Sequence, residues 1–406
     1  MCGCSDHISE QKPMEEKKFR LADFFNAHWD AYVENTQEPI SLGQFKAVNA
    51  IRVCRTAALG VDYYTCQNCG DTVEIYHNCK NRFCPTCSWG DTIKWAKKIE
   101  GQMMGLPHRH VVMTIPHALA PLVKSNGKHI LNILLRTAAD TFKDWAAHKY
   151  NIDIGIISVL HTFGETKDYH LHAHMIVSWG GIEIKSGELK PIKGEYVNYK
   201  HLQKKFQIKF EDQLVALYDK QALKHKFKNH IAFKSFLKGI NNKNWIIHLE
   251  PPMACPAAVI RYIGRYSKRA CISEYKITEI EGEYISFRHK DYKTIDQNNK
   301  PVEKILRLHF TAFFPRLLQH VPLKYFRLVR YYGVYSTKSQ VPEQYLNKEQ
   351  LEDDQPQREW ENPFECTFCG QKRVYQFTVL DKRPRISRIE PFNSKIHESY
   401  IYKRAS

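Results

Sequence analysis

The apolar positions change period several times along the chain, and each change marks an expected element. Between residues 19 and 60, Phe24, Phe25, Trp29 and Tyr32 recur at helical spacing, and Ser41 stands as a cap before L-G-Q-F-K-A-V. Residues 89–103 return to that period with a basic opposite face, and 118–149 form another helical stretch. Between these lies R-H-V-V-M-T-I-P (109–116), a short β-rich run ended by proline. I-G-I-I-S-V-L-H-T-F (154–163) reads as a second strand, G-E-T-K-D as a turn and 170–178 as a third strand, so the two strands are expected to form a hairpin.

Residues 183–244 are Lys-rich with helical stretches such as F-E-D-Q-L-V-A-L-Y, and read as an insertion whose basic face is solvated or lies on phosphates. N-W-I-I-H-L-E (244–250) predicts a further strand. Pro251, Pro252 and Pro256 punctuate the chain before a helical run at 257–269. Hairpin-like segments (274–290 and 304–314), a basic aromatic stretch to about 336 and a polar acidic linker (338–362) complete the pattern, without an internal repeat. Strand, helix, hairpin, insertion, strand and helix in that order predict an α+β fold. The core would be a ferredoxin-like split βαβ unit, an antiparallel sheet flanked by helices.

Charge adds a partner to this picture. Sixty Lys and Arg against 43 Asp and Glu leave +17, which favours a polyanion, nucleic acid ahead of membrane. No apolar run approaches the length of a spanning helix, so no membrane partner is expected. The opening M-C-G-C-S-D-H lacks the basic-then-apolar order of a secretory signal, and a cytoplasmic, DNA-associated location follows as the expectation. Twelve cysteines in a reducing compartment point to metal rather than disulfides.

Two Cys-x2-Cys knuckles, T-C-Q-N-C-G (65–70) and F-C-P-T-C-S (83–88), predict one closed, structural Zn²⁺ on Cys66, Cys69, Cys84 and Cys87. Cys54, His77 and Cys79 in the same block are alternate ligands or the makings of a second site. A third knuckle, E-C-T-F-C-G (365–370), is as readily a turn or half-site as a zinc site. His397, or Cys2 and Cys4, could complete it. Cys255 and Cys271 read as core residues.

In Y-H-L-H-A-H-M-I-V (169–177), His170, His172 and His174 alternate and so are expected on one sheet face. One strand histidine is ordinarily a hydrogen-bonded core residue, whereas three together invite a cation. His161 on the neighbouring strand reads first as a core residue. Imidazoles leave coordination positions for phosphate oxygens, so a Lewis-acid role on a phosphodiester is within reach. A nucleophile is available in R-Y-I-G-R-Y (261–266), where Tyr262 and Tyr266 share a helix face. Arg261, Arg265 and Arg269 repeat beside them and, with Lys268, offer a DNA-binding stripe. Cations are what a phenol, ionising near pH 10, needs to act as a nucleophile. A helix with tyrosines packed on the sheet and arginines in solvent would show the same spacing.

Together the zinc block, the two histidines around a hydrophobic residue and the Y-x3-Y helix resemble the rolling-circle transposases of the insertion sequence 91 family. These are two-tyrosine members of the HUH endonuclease superfamily. Further matching stretches are C-R-T-A-A-L-G (54–60), N-C-K-N-R-F-C-P-T-C (78–87), H-V-V-M-T-I-P-H (110–117), L-H-T-F-G (160–164) and E-P-P-M-A-C-P (250–256). The resemblance spans roughly residues 45–335. It implies a flexible N-terminus (1–18), a helical zinc- and DNA-binding domain (19–104), an HUH nuclease domain (105–336, with the insertion 183–244) and a linker and tail (337–406). It implies that His172 and His174 hold a catalytic Mg²⁺ or Mn²⁺, with His170 as a third ligand or phosphate contact. Tyr262 and Tyr266 would nick and rejoin single-stranded DNA at transposon ends and target through a 5′-phosphotyrosine. A homodimer is a possible assembly. The alternatives are a relaxase or replication initiator of the same class, a water-using metal hydrolase, and a non-catalytic zinc-dependent DNA-binding protein.

Overall fold

The computed structural model describes residues 19–241, 245–253, 271–339, 341–347 and 364–380. The Y-x3-Y stretch, with Arg261, Tyr262, Arg265, Tyr266, Lys268 and Arg269, lies outside the described residues, as do Cys2, Cys4, Cys255 and His397.

The chain is α+β, and among the described residues every strand pair is antiparallel. It opens with helices α1 (Leu21–Asn35) and α2 (Leu42–Arg52). The expected cap forms: the Ser41 hydroxyl accepts from Gln44 N at 3.3 Å, and the Gln44 side chain accepts from Ser41 N at 2.8 Å. Strands β1 (Val61–Cys66) and β2 (Thr72–Tyr76) form a hairpin, and α3 (Ser88–Glu100) follows.

The main sheet combines β3 (His108–Thr114), β4 (Ile152–Phe163), β5 (Tyr169–Glu183), β7 (Ile246–Leu249) and β11 (Val329–Gly333) in the order β11-β4-β5-β3-β7. The short β6 (Leu189–Pro191) pairs with β5 at one end. Without β11 this is the strand order of a split βαβ unit. Its first crossover is α4 (Ala120–Tyr150), which carries Leu134, Ala138 and Phe142 into the core and ends at Asn151 in the left-handed region. The second crossover contains α5 (Tyr199–Asp219) and α6 (His230–Ile240). Here the Lys-rich stretch read as an insertion has its own apolar stripe. Phe206, Phe210 and Leu214 pack around Trp245 in the main core, leaving the lysines outward.

A second core joins the N-terminal helices to later chain. Strands β8 (Ile277–Glu281), β9 (Tyr284–Ile295) and β10 (Pro301–His309) form a three-stranded sheet. The segment 304–314 is not hairpin throughout. The strand ends at His309, whose side chain caps α7 (Phe310–Leu318), and Phe313, Phe314 and Leu317 then share one buried face. Against that face lie Phe24, Phe25 and Trp29 of α1, with Phe25 stacked on Phe314 at 5.1 Å between centroids. Cys271 is buried in this core. Finally β12 (Arg373–Val379) returns to pair with β1, giving the order β12-β1-β2. No helix among the described residues is long and apolar enough to cross a membrane.

Candidate active site and metal centres

The main sheet packs one face on α4 and α5 through alternate residues such as Leu171, Ala173, Met175 and Val177. The other face holds Ile157, Val159 and Ile176 against Ile99 and Met103, and the histidines stand on this side. His161 of β4 lies directly opposite His172 of β5, and His174 lies between Val159 and Val112. His161, His172 and His174 bring one nitrogen each within 4.8 Å of one another. Ring centroids are 4.2 Å apart for His161 and His174 and 4.8 Å for His172 and His174.

His170, expected as the third member, is not in this cluster. The β4–β5 register shifts between Phe163↔Tyr169 and His161↔His172, so His170 and Leu171 together oppose Thr162. That bulge breaks the period of two and leaves His170 exposed. Without it His161 would have faced Leu171, on the apolar core side; the bulge instead turns it toward His172.

Hydrogen bonds fix which nitrogens are available. His172 Nδ1 donates to the His170 carbonyl at 3.0 Å, leaving Nε2 as its lone-pair atom. His110 Nδ1 lies 3.0 Å from Glu250 Oε1. His110 Nε2 and His174 Nδ1 share a hydrogen bond at 2.8 Å. Burial, followed by repulsion from His161, holds His172 and His174 well below the ordinary imidazole range, so both are neutral at neutral pH. Three imidazoles, two of them held by further hydrogen bonds, suit a divalent ion. Neither His110 nor Glu250 stands out as a site residue in the sequence. Their signal is the H-V-V-M-T-I-P-H and E-P-P-M-A-C-P stretches alone.

The cysteines group differently from the expected Cys66, Cys69, Cys84 and Cys87 set. Cys84 and Cys87 join Cys54 and Cys79 in one cluster, while Cys66 and Cys69 join Cys366 and Cys369 in another. The reason is topological: the β1–β2 hairpin carries the first knuckle away from the second, and β12 brings the third knuckle to it. His77 is used locally, with Nδ1 at 3.1 Å from the Leu59 carbonyl and Nε2 at 2.9 Å from Asp62. Within the first cluster Cys79 and Cys87 sulfurs are 3.6 Å apart, close to the ~3.8 Å edge of a tetrahedron with 2.3 Å zinc–sulfur bonds. Hydrogen bonds from Cys79, Cys84 and Cys87 hold the Cys54 thiol far below its usual range, and Cys79 is pushed far up beside it. A cation relieves such mutual repulsion among thiolates.

Both centres border one cleft of about 680 Å³. Lys80, Arg82 and Cys87 line it from the cysteine block, His161, Phe163 and Tyr169 from the main sheet, and Phe326 and Arg327 from the chain before β11.

A family model described as "Transposase zinc-binding domain" matches residues 24–115, and one described as "Putative transposase" matches 155–343. The chain is 30% identical to "Putative transposase y4qJ" of Sinorhizobium fredii (strain NBRC 101917 / NGR234), over 77% of this chain and 79% of that protein. The chain belongs to the insertion sequence 91 family of transposases. It is also 28% identical to "Transposase for insertion sequence element IS801" of Pseudomonas savastanoi pv. phaseolicola, over 83% of this chain and 84% of that one. No solved structure matches. The zinc-binding match covers Cys54, Cys79, Cys84 and Cys87, so in this transposase the buried thiol cluster could hold the structural zinc of that domain. The putative-transposase match covers all three clustered histidines and Glu250.

Proposed function

We propose that this transposase nicks and rejoins single-stranded DNA at the ends of its element through a 5′-phosphotyrosine, in a rolling-circle type of transposition. The observation that carries the reading is the convergence of His161, His172 and His174 on one sheet face, with the His172 ring oriented by the His170 carbonyl. A divalent ion held there, Mg²⁺ or Mn²⁺, would supply Lewis-acid polarisation of the scissile phosphate. Glu250 and His110 orient His174, and the His170 carbonyl orients His172. His170 itself, exposed at the bulge, is a phosphate contact rather than a ligand.

Tyr262 or Tyr266 attacks phosphorus, the bond to the 3′ oxygen breaks, and the departing strand ends in a 3′-hydroxyl. The new ester stores the bond for rejoining, so no nucleotide hydrolysis is required. The second tyrosine cuts a second strand while the first end stays attached. Arg261, Arg265, Lys268 and Arg269 sit beside these tyrosines in sequence and serve as DNA contacts. The cleft supports a single-stranded path: Lys80, Arg82 and Arg327 suit a phosphate backbone, and the half-buried Phe163 and Tyr169 suit unpaired bases.

The test incubates the protein with labelled single-stranded DNA from the element's ends and Mg²⁺ or Mn²⁺, and reads an SDS-stable adduct. Tyr262→Phe with Tyr266→Phe is expected to abolish it. An adduct of unchanged yield in that double variant would sink the phosphotyrosine mechanism.

A further inference from the structure

We propose that Cys66, Cys69, Cys366 and Cys369 form a second zinc site, a bipartite zinc ribbon whose two halves come from opposite ends of the chain. The first argument is sulfur geometry. Cys66 and Cys369 sulfurs are 3.4 Å apart, Cys69 and Cys366 3.4 Å, and Cys69 and Cys369 3.8 Å. These separations are far beyond a disulfide bond of about 2.05 Å and close to the ~3.8 Å edge of a four-thiolate zinc tetrahedron.

The second argument is that the two knuckles are built alike. In T-C-Q-N-C-G-D, Cys66 N donates to Asp71 O at 2.8 Å, and Gly70 N donates to Cys66 O at 2.9 Å. In E-C-T-F-C-G-Q, Cys366 N donates to Gln371 O at 2.8 Å, and Gly370 N donates to Cys366 O at 2.8 Å. Each turn closes on a glycine in the left-handed region, Gly70 at φ 76° and Gly370 at φ 70°. A Cβ at either would meet nothing within 4 Å, so backbone conformation and not space asks for glycine. Two such turns facing each other present paired sulfurs from both sides, which is what a ribbon site needs and two unrelated turns would not give.

The third argument is the frame around the site. Strands β1 and β12 pair from Val61↔Val379 to Cys66↔Arg373. Arg373, its side chain only 6% exposed, ties the halves together through Nη2 to Asp71 Oδ2 at 2.5 Å and Nη1 to the Glu365 carbonyl at 2.6 Å. The register that pairs the strands is thus the one that brings the knuckles together. Neither family match reaches residue 366; the zinc-binding match holds one half of this site and the other lies outside both. The proposal is independent of the DNA-cleavage mechanism.

The experiment uses the full chain, purified with zinc. Zinc content per chain is expected to fall by one in Cys366→Ser with Cys369→Ser, and by one in Cys66→Ser with Cys69→Ser. In the unmutated protein, iodoacetamide labelling read by mass spectrometry should leave Cys69 and Cys369 protected although both reach the surface. All four should become labelled together when a chelator strips the metal. Unchanged zinc content in the Cys366/Cys369 variant overturns the site. So does labelling of Cys366 and Cys369 in the zinc-loaded protein at the rate of free thiols, a result that does not depend on any variant folding.

Discussion

The buried thiol cluster and the histidine cluster border the same cleft, yet they differ in ligand number and charge. Four thiolates around Zn²⁺ close the tetrahedron and leave a net negative centre that repels a phosphodiester. Three neutral imidazoles leave coordination positions open and the full positive charge of a divalent ion unspent on its ligands. With those ions bound, the first centre would hold chain segments together and the second would suit a phosphate. The same contrast appears in what surrounds them: Cys84 is packed in the second core with Phe83 and Phe314, while His174 is backed by the polar pair His110 and Glu250.

The sharpest way to break this comparison is to remove a ligand from each centre. Cys84→Ala is expected to release zinc and collapse the second core, since structural zinc contributes on the order of 10 kcal/mol to folding. Thermal unfolding with zinc analysis checks this. His172→Ala with His174→Ala should leave the unfolding temperature within a few degrees while the DNA adduct falls below detection. An equal loss of fold from both changes would erase the distinction. Glu250→Gln, which leaves the ligands intact, should weaken divalent-ion activation by about 10–100-fold, read as a rightward shift in the Mn²⁺ titration.

Acid sharpens the comparison from another side. Burial pushes His108 and His320 down to about 4, against about 6.5 in the unfolded chain. The unfolded chain binds more protons in that window, so stability is full above pH 6.5 and lost as the pH falls toward 4, by on the order of 2–3 kcal/mol for each histidine. Chemical denaturation at pH 7 and pH 4.5 measures it. The smallest effect is expected for Gly370→Ala, about 1 kcal/mol from the left-handed backbone alone, with zinc content unchanged.

Much of the main sheet was legible because its strands are apolar runs bounded by turn residues. The hairpin of β4 and β5 and the helix α4 follow directly from that patterning. Alternation placed His172 and His174 on one face, but His170 with them. What escaped is instructive. His161 joins the cluster and His170 leaves it because of one extra residue in β5 opposite Thr162, and a bulge has no signature in a period-two pattern. The cysteines were found but grouped by proximity in sequence, whereas a zinc ribbon depends on strand pairing between Cys66 and Arg373, at opposite ends of the chain. The Lys-rich crossover looked peripheral because its charge outnumbers its apolar stripe, although Phe206 and Phe210 are fully buried.

The return of β12 to β1 sets an order of events during synthesis. Strand β2 reaches β1 at once, through a short turn. The other edge of β1 waits for chain made much later, since 297 residues separate Cys69 from Cys366. At about 5–20 residues per second that is a delay of roughly 15–60 s on the ribosome, during which one edge of β1 stays unpaired. A chain that stops before β12 leaves that edge of β1 open to pairing with other strands.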